Sequence, residues 1–143
     1  MVRALYTLAL ASLLAGCLPQ GQAQAPQGQA QAPPEPVAAQ SELADRGKRH
    51  FIRCNACHST KAGGLALAGP HLSGIVGRPV AALRGFAYTD ELRALDLVWD
   101  EAALDRLLTR PSDILPGLCL PFTGLDDPAQ RRELIAFLAS QGG

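Results

Sequence analysis

The chain has almost no methionine. Met1 is the single one in 143 residues, and it heads a segment that reads as an export signal, so the mature chain has no thioether to offer a metal. Aromatic side chains are scarce as well, at 5%, and a domain of roughly 100 residues has a thin core by itself. An excess of either charge is also missing. Thirteen Lys and Arg balance thirteen Asp and Glu, which removes the basic footprint of a nucleic-acid binder. No apolar run is long enough to span a bilayer. Cysteine is limited to Cys17, Cys54, Cys57 and Cys119, and their separate settings leave none over for a disulfide.

Residues 1–16 have the pattern of a signal peptide: Arg3 supplies the positive end, and Ala4 to Leu14 is an apolar run too short for a spanning helix. The run closes in Leu14-Ala15-Gly16-Cys17, which resembles the bacterial lipobox, where a lipidated cysteine becomes the first residue of the mature protein. The plainer reading is an ordinary cleavable signal with Cys17 incidental. Small residues before the cysteine and a tether after it favour the lipid, and Leu18, which is not aspartate, points toward the outer membrane. Acyl chains, at about 0.8 kcal/mol per buried methylene, would hold the protein at a membrane. Residues 17–40 form that tether. Gln20 to Pro26 is repeated as Gln27 to Pro33, followed by Pro34, Glu35 and Pro36; such sequence buries nothing and cannot offset its ordering entropy.

The rest of the chain is organised around Cys54-Asn55-Ala56-Cys57-His58. Two cysteines three residues apart on a helix share a face, with about 5–6 Å between Cβ atoms. Both thiols can then reach the two vinyl groups of one porphyrin, and His58 follows as the proximal nitrogen ligand of its iron. The same short pattern occurs in zinc sites and thiol redox pairs. Zinc would need two further ligands at finger-like spacing, and a redox pair a βαβ setting; neither context is visible. One covalent haem c is the expected cofactor, and its buried ring would supply the apolar mass that the composition lacks.

Residues 41–143 are expected to be the folded domain, with Ser41 as a helix N-cap, Glu42 and Asp45 in the first turn, and the helix running on into Cys54 and Cys57. Gly47 and Phe51 stand seven and three residues before Cys54. Here the chain closely resembles the class I cytochromes c, an all-α family whose N- and C-terminal helices cross around one covalently bound haem. In that family the glycine admits a close crossing by the terminal helix and the aromatic packs into it. The matching helix has Asp127 as cap, Pro128 in its first position and an apolar face of Leu134, Ile135, Phe137 and Leu138. Thr89 with Asp90 and Glu91 opens a short helix, and Asp100 opens another that must stop before Pro111. Gly69 to Arg78 resembles the loop beneath the proximal ligand. The resemblance implies that the Pro70 carbonyl accepts from Nδ1 of His58, and that Arg78, Tyr88 and Trp99 bind or shield the haem propionates.

One stretch departs from the family. Leu115 to Leu125 looks like the family's methionine loop, but the methionine position holds Leu120. Cys119, one residue earlier, is the candidate sixth ligand, because a metal can draw off a thiol proton. It can equally be a small buried hydrophobe that leaves the iron open or water-bound. His71 and His50 are weaker candidates, His71 for following the proximal-loop proline and His50 as a helix-surface residue. A thiolate would lower the iron potential; an open iron would favour nitric oxide, carbon monoxide or peroxide. The expected function is electron transfer by a monomeric, membrane-tethered periplasmic cytochrome between periplasmic or membrane redox proteins. A haem-based binder of small ligands and a sulfur-metabolism cytochrome are the alternatives. No catalytic acid, base or substrate motif marks an enzyme, and no nucleic-acid partner is expected.

Overall fold

The computed structural model describes residues 36–63, 67–115 and 121–142. The signal, Cys17, most of the tether, Cys119 and Leu120 lie outside the described residues. The order of elements is α1 (Val37–Lys48), a 3-10 turn (His50–Arg53), α2 (Asp90–Ala94), α3 (Glu101–Thr109), α4 (Pro111–Ile114) and α5 (Pro128–Ser140). Among the described residues, β pairing is confined to an isolated antiparallel bridge between Pro79 and Val98.

Helix α1 begins four residues earlier than Ser41 and takes Val37 to Gln40 from the stretch assigned to the tether. Pro36 stays extended at φ −53°, ψ 142° in the N-cap position, and helix forms as soon as the proline run ends. Ser41 therefore lies inside the helix, where its hydroxyl donates to the Ala38 carbonyl at 2.8 Å, and Glu42 and Asp45 fall beyond the first turn. The helix also stops short of the cysteines. It ends at Lys48, and the chain tightens into the 3-10 turn before Cys54.

The other helix ends follow local chemistry. The Thr89 hydroxyl accepts from the Leu92 amide, the Asp100 carboxylate from Ala103 and the Asp127 carboxylate from Ala129, each satisfying an amide that has no intrahelical partner. Helix α3 ends at Thr109, Arg110 is extended, and Pro111 opens the single turn of α4.

Helices α1 and α5 pack against each other at Gly47. A Cβ on Gly47 would collide with the backbone carbonyl of Glu133 and with Cβ of Phe137, so only glycine allows this approach. The Phe51 and Phe137 rings meet beside it, with centroids 5.5 Å apart and planes at 50°, within the range of favourable tilted pairs. Leu134, Ile135, Phe137 and Leu138 of α5 join Ala103, Leu104 and Leu108 of α3, with Ile75, Trp99 and Leu125, in one buried cluster. On the far side of α5, Arg131 donates to the Asp105 carboxylate at 2.7 Å and to the Leu125 and Asp126 carbonyls at 2.8 and 3.0 Å, tying α3 and the 125–126 loop to α5.

Glu133 clamps the helix crossing from its rim. It accepts from Arg46 Nε at 2.7 Å and lies 2.9 Å from His50 Nε2 and 3.9 Å from Arg49. His50 is thus a partner in the crossing and not a simple surface residue. The hydrogen bonds of His50 and then Arg46 hold the Glu133 carboxyl below its ordinary pKa. A lowered carboxyl contributes stability that is complete above its unfolded value and fades as pH falls through the folded one. Glu133→Gln is therefore expected to be less stable than wild type at pH 7, with the gap closing below about pH 4. Unfolding midpoints measured across that range check it, and a gap that persists into acid would contradict it.

Candidate haem site

The site begins where the 3-10 turn ends. The amides of Cys54 and Asn55 donate back to the Phe51 carbonyl, and those of Cys57 and His58 to the Cys54 carbonyl at 3.0 and 2.9 Å. Cys54 and Cys57 thus sit on one helical turn even though no continuous helix carries them. Both are free, half-buried thiols. Burial raises the Cys54 pKa, an effect that Arg53 opposes and Cys57 reinforces. Among the described residues no group of three His, Cys, Asp or Glu side chains is placed to hold a metal ion, and no βαβ unit is present.

His58 is held from two sides. Its Nδ1 lies 2.7 Å from the Pro70 carbonyl oxygen, so that nitrogen carries the proton and Nε2 keeps its lone pair. Nε2 has no hydrogen-bond partner among the described residues. Gly69 lies flush against the ring: a Cβ there would strike Cε1, Nδ1 and Nε2. Two backbone bonds join the loop to the cysteine turn, from Gly69 N to Cys57 O at 2.8 Å and from Leu72 N to Ser59 O at 2.7 Å. A fixed imidazole with one free nitrogen, beside two free, half-buried thiols on one turn, fits a porphyrin attached through two thioethers and ligated by His58.

Arg78 and Trp99 are brought together by backbone bonds, Trp99 N to Arg78 O at 3.0 Å and Gly77 N to Trp99 O at 2.9 Å. Trp99 is buried. The Arg78 guanidinium is turned to its own loop, donating to the carbonyls of Ser73 at 3.0 Å and His71 at 2.9 Å, which uses two of its five donors. Burial lowers the Arg78 pKa, and the neighbouring Tyr88 opposes that shift. Tyr88 packs against Phe86 with ring centroids 4.8 Å apart, and Arg93 lies over its face. His71 keeps a buried Nδ1 with no partner among the described residues.

Reading the sequence for motifs missed two features. Gly69 stood in the proximal loop without a role, since its contact with the ring crosses eleven residues. The charge balance hid a segregation that a count along the chain reveals: from Arg46 to Thr89 the charged residues are Arg46, Lys48, Arg49, Arg53, Lys61, Arg78 and Arg84, with no Asp or Glu. The stretch containing the cysteines and His58 is cationic in a chain that is neutral as a whole.

An all-α fold with its terminal helices crossed at a glycine, and a C-x-x-C-H turn whose histidine is fixed by a proline carbonyl, defines a covalent haem protein of the cytochrome type. The comparisons agree. The chain is 37% identical to cytochrome c2 of Rhodomicrobium vannielii over 68% of this chain and 78% of that one. It is 40% identical to cytochrome c2 iso-2 of Magnetospirillum fulvum over 63% of this chain and 93% of that one. The solved structure of cytochrome cH from Methylobacterium extorquens superposes with a TM-score of 0.61 at 35% identity, covering 68% of this chain and 97% of that one. No family profile matches the chain. The chain belongs to the class I c-type cytochromes, with one covalent haem c as its cofactor and electron transfer as its work.

Proposed function

We propose that the protein is a membrane-tethered periplasmic electron carrier. Cys54 and Cys57 hold the haem as thioethers, His58 is its proximal ligand and Cys17 carries the lipid. When bound, the haem supplies a one-electron Fe(III)/Fe(II) couple. The observation that carries this reading is the His58 ring fixed on the Pro70 carbonyl at 2.7 Å, next to two thiols on one turn. Arg78, Tyr88 and Trp99 are assigned to the propionates, and the three spare donors of Arg78 support that role. The likeness to cytochromes c2 supports a carrier over an enzyme.

The lipobox-like end and the Gln, Ala and Pro repeat support the tether, which raises the local concentration of the domain near membrane partners. Among the described residues no helix is long and apolar enough to cross a membrane. Leu18 favours the outer membrane. Cys17→Ala is expected to release the protein from membranes with its haem spectrum unchanged; retention on the membrane would overturn the lipid assignment. Beside the cysteine turn, Ile52 is 70% exposed and flanked by Arg53. Redox partners would dock there through an acidic surface, and electron exchange should slow steeply with added salt. Salt-independent exchange would reject that face.

The sixth position is the thiolate of Cys119 or is open. A chain whose single methionine is Met1 also supports a second reading, a haem-based binder of small ligands or a cytochrome of sulfur metabolism. Reduced-state spectra with carbon monoxide separate carrier from binder: an inert low-spin haem marks the carrier, and rapid complete binding without denaturation marks the binder. Electron paramagnetic resonance on oxidised wild type and Cys119→Ser decides the ligand. A high-spin wild type, or a low-spin signal that survives the substitution, rules the thiolate out.

A further inference from the structure

The Pro70 carbonyl has little to hold it from its own residue. Proline has no N–H and its ring fixes φ, so the direction of the carbonyl depends on Pro70 ψ and on how the next peptides are anchored. Two groups anchor them. The Leu72 amide donates to Ser59 O at 2.7 Å, and the Arg78 guanidinium grips the carbonyls of His71 and Ser73 at 2.9 and 3.0 Å. Arg78 is itself fixed, since its amide donates to Ile75 O at 3.1 Å and its carbonyl accepts from Trp99 N at 3.0 Å. Ile75 and Trp99 are both buried. A rigid base therefore extends a planar fork to the loop that carries Pro70.

We infer that Arg78 is a positioning residue for the proximal histidine: by clamping His71 and Ser73 it aims the Pro70 carbonyl at Nδ1 of His58 and sets the basicity of the ring. This is separate from any contact with a propionate, because different donors of the guanidinium serve the loop. It rests on the haem assignment. An Nδ1–H bond to a carbonyl strengthens the ring as a ligand, and a stronger donor favours Fe(III). Loosening the clamp should raise the potential. Removing a positive charge near the iron should lower it, so the two roles of Arg78 have opposite signs and can be separated.

Arg78→Lys keeps the charge but replaces the fork by a flexible point charge. In the haem-loaded protein, exchange of the His58 Nδ1 proton, followed by nuclear magnetic resonance, is expected to quicken about tenfold, the equivalent of one charge-assisted bond, and the potential to rise. Arg78→Gln, with a planar head that can reach one carbonyl, is expected to fall between the two in exchange rate. Normal haem content with wild-type exchange and potential in Arg78→Lys would overturn the inference, whereas colourless protein from wild type would overturn the haem assignment beneath it. If neither variant matures, wild type decides. The Arg78 guanidinium protons and the His58 Nδ1 proton should lose protection together as denaturant is raised, and an Nδ1 proton that stays protected after the guanidinium is released would refute the clamp.

Discussion

Valine at position 47 is expected to destabilise the haem-loaded protein by at least about 3 kcal/mol, the upper part of the usual range for overpacking, and to lower the midpoint of thermal unfolding by roughly 15 °C for a domain of this size. The obstacle is backbone. A Cβ on Gly47 meets the Glu133 carbonyl and Cβ of Phe137, and neither can move unless α5 moves away from α1. Such a shift would also part the Phe51 and Phe137 rings and stretch the bonds of Glu133 to Arg46 and His50. Alanine at 47 should be destabilising too, against the gain of about 1 kcal/mol that it brings to an ordinary helix interior, because the first carbon already collides. Ser41→Ala on the exposed face of α1 is the control, expected within about 0.5 kcal/mol of wild type. If Ser41 were an N-cap its loss would cost about 1 kcal/mol. Chemical unfolding of the three variants tests the set, and a Gly47→Ala protein as stable as wild type would contradict a glycine-only crossing of α1 and α5.

Cys54→Ala combined with Cys57→Ala is expected to abolish covalent haem and to leave a chain that unfolds with a shallow, early transition. Apart from Leu43 of α1, the buried apolar side chains among the described residues form one small cluster on α3, α5 and the loops they contact, and Phe51, Leu72, Val76, Leu97 and Phe122 only partly shield their apolar surface against it. Each deeply buried aliphatic side chain contributes about 1.5–3 kcal/mol, too little from so few residues to offset the ordering entropy of the loops. The haem is the remaining apolar mass. Haem staining of denaturing gels and circular dichroism melts read both parts. A double variant that retains covalent haem would place the attachment elsewhere, and one that melts like wild type would show that the core does not depend on it.

These expectations differ in how far the sequence foretold them. Caps at Thr89, Asp100 and Asp127 were legible because a cap is a local device, one side chain accepting from an amide two or three residues on. The start of α1 was not. Ser41 has the right chemistry, but the helix had already begun where the prolines ended, and propensity at one residue does not report where nucleation occurs. Arg49 to Arg53 also looks helical residue by residue, and only the docking of Phe51 on Phe137 accompanies the tighter turn before Cys54. At the site, Cys54, Cys57 and His58 announce themselves by spacing, and the Pro70 carbonyl through the family likeness. The partners of Arg78 had no such signal, because they are backbone carbonyls and leave no mark on residue type. Gly69 against the imidazole and Glu133 between Arg46 and His50 are contacts across long sequence separations, visible only once the chain is folded.

In the proposed assignment one porphyrin is bonded to this polypeptide through Cys54 and Cys57, with the His58 imidazole as its proximal ligand. Its most direct test is a pyridine haemochrome spectrum of the full chain, matured in a host that assembles c-type cytochromes and then extracted with acidified acetone. One haem per chain is expected to stay with the protein through extraction and to give the spectrum of a porphyrin whose vinyl groups are both saturated. Colourless protein, or haem that leaves with the solvent, would contradict it.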